Sequence, residues 1–341
     1  MTRRRVAIIG LGMAVGPHAK SLIDLADRVE VAAAFSRSPE RAAAFAKEFP
    51  IPTTTDLSAI VDDGSITAAL VLTPPWSHLD LVRILAGAGK HILLEKPVEA
   101  TTARAVELVE TCRQAGVTLA MMLQHRFRPA SLRLTELCAA GGLGQLVAAS
   151  VAVRWWRPQS YYDEPGRGTL ARDGGGVLLT QAIHTLDLFL SLTGAVSEVA
   201  AFAGTTRLHR MEAEDIVGAA LRFANGAIGT LDATTASFPG FPERIEIVGE
   251  KATAVLAGGG LELFYQDGRR EAVAGAQAIG GGADPMAFSH EAHRAAITDF
   301  LDAIDAGRPP RVSGAAALAV HRLIEALLRS AREARTVAVA G

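Results

Sequence analysis

Short apolar runs alternate with amphipathic stretches through the first third of the chain, and that alternation predicts a parallel α/β sheet. Val6–Ile9, Val29–Phe35, Ala68–Leu72 and His91–Leu94 read as strands, and Thr118–Met122 closes the series. Between them Pro17–Leu25, the stretch from Pro39 to about Phe49, Leu79–Ala88 and Thr102–Ala115 carry helical spacing. Ser38 followed by Pro39 has the form of an N-cap with proline at the first helical position. After about Gln124 the texture changes. A helix over Ala130–Ala139 ends in glycines, and long β-rich runs follow at Leu146–Trp156, Val196–Thr206, Ile216–Thr235 and Arg244–Leu256. Asn225-Gly226 lies between alternating apolar runs and marks a hairpin. An amphipathic helix over Leu178–Leu192 interrupts the strands, and helices return at Glu291–Ala306 and Ala315–Ala334. Gly258–Gly260 and Gly280–Gly282 read as loops. The expected architecture is an α/β domain over residues 1–123 and an α+β domain over 124–341, the second built on a largely antiparallel sheet.

Composition narrows the function classes. With 341 residues the chain is long enough for two full cores. Its 34 basic and 36 acidic residues leave a net charge of −2, which argues against nucleic acid as a partner. Cys112 and Cys138 form neither a CxxC pair nor a disulfide framework, so a reducing compartment, the cytoplasm, is expected. Val6–Leu11 is too short and too broken by glycine for a signal segment, and no run approaches a membrane-spanning length of about 18–20 apolar residues. Only five of the basic residues are lysines, among them Lys96.

The first strand runs into Gly10-Leu11-Gly12-Met13-Ala14-Val15-Gly16. A glycine turn between a first strand and a helix lets backbone N–H groups approach a pyrophosphate, and the helix N-terminus stabilises its charge. Val15 stands at the third fingerprint position, so the strict GxGxxG is broken. The position in a βαβ unit nevertheless points to a Rossmann dinucleotide-binding domain; the alternative is a tight turn without ligand. At the end of the second strand an acidic residue would bind a ribose 2′-hydroxyl, but this chain has Ser36-Arg37. Ser36 can hydrogen-bond a 2′-phosphate and Arg37 can pair with it, which inclines the cofactor toward NADP without forbidding NAD. Arg37 could equally be a solvated loop residue.

Glu95-Lys96-Pro97 follows the strand His91–Leu94, at the carboxyl end where ligands of open α/β sheets bind. A lysine there can hydrogen-bond a substrate hydroxyl; the alternative is a surface lysine paired with Glu95. Further on, Gly174-Gly175-Gly176 feeds a helix that places Thr180 and His184 on one face, with Asp187 one turn beyond. An imidazole can take a hydroxyl proton as a hydride leaves the carbon. His184 could instead be a core histidine satisfied by Asp187. In order and spacing, Gly10-Leu-Gly12 with His18, Thr73-Pro74-Pro75 with His78, Glu95-Lys96-Pro97, the glycines with His184 and Asp187, and Asp299-Phe300 with Gly307-Arg308-Pro309 resemble one family. It is the glucose–fructose oxidoreductase, inositol dehydrogenase and MocA-like oxidoreductases, and the resemblance covers nearly the whole chain.

The resemblance implies an NAD(P)-dependent oxidoreductase acting on a secondary alcohol of a sugar, cyclitol or sugar acid, nucleotide-linked in some members. Gly10, Gly12, Met13, Ala14 and Val15 would face the pyrophosphate, while Thr73, Pro74 and His78 would line the cofactor. Glu95 and Lys96 would lie near the nicotinamide ribose, with Lys96 also reaching the substrate and a cis bond before Pro97. The second sheet would keep one open face, through which a homodimer or homotetramer forms. Thr180 stands where the family usually has Asp or Asn, which leaves acid–base work to His184 and Lys96 and positioning to Thr180 and Gln181. Arg154-Trp155-Trp156-Arg157 with Tyr161-Tyr162, then Arg167, are similar to a sugar-acid branch in which Arg157, Tyr162 and Arg167 would contact substrate. Gly166 stands where that branch commonly has Trp. One tryptophan of the pair is expected in the core. Arg126 could face the cleft or anchor the domains. The same family holds enzymes that recycle a tightly bound cofactor and non-catalytic sensors of the same fold. His290-Glu291-Ala292-His293 is not a HExxH motif, and no metal site is expected.

If Arg37 reads a 2′-phosphate, Arg37→Ala lowers kcat/KM for NADP relative to NAD. A wild-type preference for NAD, or a preference the substitution leaves unchanged, rejects the assignment.

Overall fold

The computed structural model describes residues 3–275 and 289–340, so the expected Gly280–Gly282 loop lies outside the described residues. The chain begins β1 (Arg4–Ile9), α1 (Val15–Asp24), β2 (Val29–Phe35), α2 (Pro39–Glu48), β3 (Thr53–Thr54), α3 (Ser58–Val61) and β4 (Ile66–Val71). It continues α4 (His78–Gly87), β5 (His91–Glu95), α5 (Thr102–Gln114), β6 (Leu119–Met122), α6 (Pro129–Ala139) and β7 (Leu146–Arg154). Two single turns, α7 (Gln159–Tyr162) and α8 (Leu170–Asp173), precede a π-helical turn over Leu178–Ala182 that runs into α9 (Ile183–Thr193). Then come β8 (Val196–Gly204), β9 (Ile216–Phe223), β10 (Ile228–Thr234), β11 (Arg244–Gly249), β12 (Ala252–Ala257), β13 (Gly260–Tyr265) and β14 (Arg270–Val273). The chain closes with α10 (Glu291–Ala306), α11 (Gly314–Glu333) and β15 (Val337–Ala338).

The first compact unit holds the described residues up to Gln124 together with Ser289–Leu318. Its six strands are parallel in the order β3-β2-β1-β4-β5-β6. Strands covered by helices on both faces must be apolar on both sides, and Val6–Ile9, Ala68–Leu72 and Ile92–Leu94 are buried without interruption. The order reverses between β1 and β4, the switch point at which dinucleotide-binding sheets take their ligand. Ser38 caps α2 by accepting from the Arg41 amide at 3.2 Å, with Pro39 at the first helical position, as the sequence predicts. The expected second domain began at 124 and ran to the end, yet Ser289–Leu318 packs with the first unit. Ala296, Ile297, Phe300 and Leu301 are buried on α10, which lies on α1, β5 and β6. Beyond α10 the Met121 amide donates to the Val312 carbonyl at 2.9 Å, so the returning chain covers the β6 edge.

The second unit comprises the described residues 125–275 and 319–340. Nine strands form a mixed sheet in the order β14-β13-β12-β11-β7-β10-β9-β8-β15, antiparallel except where β7 runs parallel to β10. The Asn225-Gly226 hairpin is present, Gly226 at φ 90°. The β-rich run Arg244–Leu256 divides into β11 and β12 at Gly249, where a Cβ would collide with the Leu143 carbonyl oxygen. One face, with Val151, Val153, Leu231, Ile245 and Ile247, is buried against α6 and α9. The other presents the cross-strand rows Phe202–Gly218–Asp232–Ala152–Arg244 and Ala200–Ala220–Thr230–Ser150–Glu246. Small residues line its middle, and Phe202 is 86% exposed.

Leu170–Thr193 passes a membrane-span test by length and composition, but 83% of its 18-residue apolar window, of mean hydropathy 1.3, is buried inside the structure. It is a core segment because the open sheet packs over its apolar side chains, among them Leu178, Leu179, Ile183, Leu186 and Phe189.

Candidate active site

In the first unit β1 ends at Gly10, whose φ of 106° places it in the left-handed region. A Cβ there would lie 2.9 Å from Thr73 Cγ2 and 3.0 Å from the Leu72 carbonyl, so glycine lets the first loop close against the loop after β4. Above Gly12 nothing lies within 4 Å of a Cβ position. The first turn of α1 has no acidic residue, and no side chain caps it among the described residues. An open glycine turn leading to an uncapped helix N-terminus fits a pyrophosphate. Met13 is exposed beside it, and Val15 opens the helix with its amide 3.2 Å from the Gly12 carbonyl. Valine at the broken fingerprint position therefore costs the turn nothing in backbone geometry.

Ser36 is buried and its Oγ accepts from the Ser38 amide at 3.2 Å, which leaves its hydroxyl proton available to an acceptor. Arg37 is exposed and makes no ion pair among the described residues. Thr73 and Pro74 form the loop after β4. His78, expected to line the cofactor, is wholly buried. Its Nε2 lies 2.7 Å from the Thr73 carbonyl and its Nδ1 3.1 Å from the carbonyls of Pro97 and Val98. Burial lowers its pKa against the opposing pull of those carbonyls. His78 thus ties the Thr73 loop to the turn after Lys96 and acts through backbone.

Lys96 is half-buried just beyond β5, and the Lys96–Pro97 bond is cis, as the resemblance implied. Its amide donates to Glu95 Oε2 at 2.9 Å, while Glu95 Oε1 lies 2.8 Å from Nε2 of the buried His18. Burial raises the Glu95 pKa, but the hydrogen bond and charge of His18, with Lys96 and His293, outweigh it and bring it down to about 2. His293, near the start of α10, entered the sequence reading only in a rejected metal motif; it belongs to this cluster because α10 folds back on α1.

In the second unit the glycine turn is held by Glu214, another residue the sequence did not mark. Its carbonyl accepts from the Val177 amide at 2.8 Å, and its carboxylate accepts from the amides of Gly176 at 3.1 Å and Leu178 at 3.2 Å. A Cβ at Gly176 would collide with the Glu214 carbonyl, so only glycine fits. The turn enters the helix through π-helical geometry, a form that recurs at functional sites. Thr180 Oγ1 donates to the Gly176 carbonyl at 2.7 Å and also contacts Oε1 of the buried Gln181. Both contacts fix the hydroxyl at the start of the helix.

His184 is partly exposed and stacks on His125, with ring centroids 5.0 Å apart and 30° between planes. Arg128 Nη2 donates to His125 Nε2 at 2.6 Å and Nη1 to the buried Glu243 at 3.0 Å. An arginine donor on Nε2 makes that nitrogen the acceptor and fixes the ring's tautomer. Asp187, expected as a possible partner of His184, is 1% exposed and grips Arg126 through both oxygens at 2.6 Å. Burial raises the Asp187 pKa against the lowering effect of Arg126. Arg126 is thereby held by an ion pair within the second unit, its side chain 15% exposed.

Arg157, Tyr162 and Arg167, expected at the substrate, are all buried in the second unit. Arg157 is 2% exposed, donates to the Trp156 carbonyl at 2.9 Å and lies 5.6 Å from the Tyr161 ring centre. Arg167 lies 4.1 Å over the same ring and pairs with Glu164 at 2.6 Å. Tyr162 shares a 2.6 Å hydrogen bond with Thr235. His209, bridging Asp215 at 2.7 Å and the Arg157 carbonyl at 2.8 Å, holds the group in place. Trp155 is the buried member of the tryptophan pair; Trp156 meets the exposed Phe238 edge-on at 5.6 Å.

Residues 4–123 match the model of an oxidoreductase family with an NAD-binding Rossmann fold, and residues 131–255 match a GFO/IDH/MocA C-terminal domain. The chain is 29% identical to a D-apiose dehydrogenase of Paraburkholderia graminis, over 98% of this chain and 89% of the relative. It is 28% identical to a D-xylose 1-dehydrogenase (NADP+) of Haloferax volcanii, over 97% and 99%. Among solved structures, the WlbA dehydrogenase of Bordetella pertussis in complex with NADH and UDP-GlcNAcA superposes with a TM-score of 0.84 at 28% identity, over 100% of both chains.

A carboxyl group whose pKa is depressed on folding stabilises the fold above its unfolded pKa and loses that contribution as pH falls through the folded value. For Glu95 the window runs from about pH 5 down to about pH 2. The difference in Tm between wild type and Glu95→Gln should accordingly narrow as pH falls from about 6 to about 3. A difference that stays constant with pH overturns this role for the charge.

Proposed function

This chain belongs to the Gfo/Idh/MocA family of NAD(P)-dependent oxidoreductases, and we propose that it interconverts a secondary alcohol and the corresponding carbonyl of a sugar, cyclitol or sugar acid. The observation that carries this reading is Lys96 at the carboxyl end of β5, in a sheet whose glycine turn and uncapped α1 suit a dinucleotide. When bound, the nicotinamide supplies hydride acceptance or donation at its C4. The chain's own residues supply geometry and proton handling. Backbone amides of Gly12 to Val15 bind pyrophosphate oxygens. The Lys96 ammonium hydrogen-bonds the reacting oxygen and stabilises negative charge developing on it. His184 Nε2 takes the hydroxyl proton in oxidation and returns it in reduction, with the ring held flat by His125. Thr180, its own proton given to Gly176, accepts a hydrogen bond from a substrate hydroxyl and so positions the ring.

Sugar as the substrate class is supported by the dehydrogenases of apiose and xylose to which the chain is similar. The exposed Arg37 and the available Ser36 hydroxyl favour NADP, with NAD as the alternative. Cys112 and Cys138 are unbonded, consistent with a reducing cytoplasm. The uncovered face of the second sheet, small residues flanked by Phe202, suits self-association into a dimer or tetramer.

Lys96→Ala and His184→Ala should each lower kcat by about 100-fold or more. Near-wild-type turnover of a sugar and cyclitol panel by both variants rejects the assignment. Phe202→Asp should shift the protein to a smaller species in light scattering, and an unchanged mass rejects the open face as the interface.

A further inference from the structure

His18, Glu95 and His293 come from α1, the end of β5 and α10, and they meet in the interior of the first unit. His18 and His293 are buried, and only 12% of the Glu95 side chain is exposed. The His293 ring meets the His18 ring edge-on, with centroids 5.2 Å apart and planes at 82°. The nitrogen and oxygen atoms of the three lie within 4.8 Å of one another, a donor set of the kind divalent zinc uses. Their bonding is of another kind. His18 Nε2 is 2.8 Å from Glu95 Oε1, shorter than the ~3.4 Å that separates two ligands of a tetrahedral ion at ordinary bond lengths. The other oxygen, Oε2, already accepts from the Lys96 amide at 2.9 Å. The cluster is joined by hydrogen bonds that end at the lysine.

We propose that His293 is a positioning residue for Lys96: packed edge-on against His18, it keeps the His18 Nε2 on Glu95, and Glu95 thereby holds the Lys96 backbone in place. This rests on the reading that Lys96 acts on the substrate oxygen. The physical reason lies in the order of attachments. An imidazole can turn about its Cβ–Cγ bond, and a T-shaped neighbour resists that turn because the ring edge carries positive and the face negative charge density. If His18 turns away, the Glu95 carboxylate loses its strongest partner in a poorly solvated place, where an uncompensated charge is costly. The ammonium of Lys96 is the cation next to it in sequence, and a carboxylate drawn onto that ammonium withdraws it from the substrate oxygen. A residue about two hundred positions downstream thus decides whether the lysine is presented or sequestered.

The test is a double-mutant cycle on the full-length enzyme with its cofactor. His293→Ala should lower kcat about tenfold while KM for cofactor and substrate stays within about twofold. His293→Phe, which keeps an edge-on ring, should recover most of the loss. In the Lys96→Ala background His293→Ala should have no further effect, because the residue it positions is gone. Should the alanine variant fail to fold, His293→Leu fills the same space without the aromatic edge and takes its place in the cycle. Equal losses in the wild-type and Lys96→Ala backgrounds overturn the proposal, as do raised KM values at unchanged kcat. A stoichiometric divalent ion in the wild type that His293→Ala loses also overturns it. Lys96→Ala with undiminished kcat would instead defeat the role of Lys96 itself, and the cycle separates the two failures.

Discussion

Glu95 is charged at neutral pH in a place where little of its side chain meets water, and the residues around it are arranged to keep it so. Ionised carboxylates in such surroundings are costly unless hydrogen-bonded and paired. Here one oxygen faces His18 and the other the Lys96 amide, so the carboxylate spans the glycine-turn helix and the end of β5. The glycine turn, the lysine and the returning α10 are therefore parts of one electrostatic arrangement, and the dinucleotide end of the sheet takes its shape from it. His78 likewise stands between two loops, one ring nitrogen near the Thr73 carbonyl and the other near those of Pro97 and Val98.

The second unit repeats the solution with different carboxylates. Glu214 satisfies the amides that a glycine turn and a helix start leave open, and its proximity excludes any side chain at Gly176. Asp187 is paired with Arg126, and Asp215 with His209. Thr180 and His184 are the polar side chains of the helix start that are partly accessible. The acids inside hold backbone amides and cations in place.

Much of this was legible in the sequence because it is local. Ser38-Pro39 caps a helix wherever such a pair precedes helical spacing, and Asn225-Gly226 turns a hairpin through its own backbone preference. The glycine turn after β1 and the glycines before Thr180 were visible for the same reason. The surroundings of the other candidate residues were not legible. Arg126, Arg157, Tyr162 and Arg167 carry the chemistry of sugar and carboxylate recognition, and composition alone could not show that Asp187, Tyr161, Glu164 and Thr235 stand beside them. Short strands such as β14 and β15 went unread because a few mostly exposed residues hold no detectable period.

The sequence by itself determined the two kinds of sheet, the dinucleotide-type turn and the positions of Lys96 and His184, since each depends on spacing within one element and the next. Tertiary structure decided the rest. It placed α10 and His293 with the first unit, set Glu214 against Gly176, and gave Arg126, Arg167 and Tyr162 their partners. The physical reason is that a buried charge is stable only with its partner, and here the partners lie tens of residues apart. Which pairs form depends on how the elements pack, and no periodicity along the chain records it.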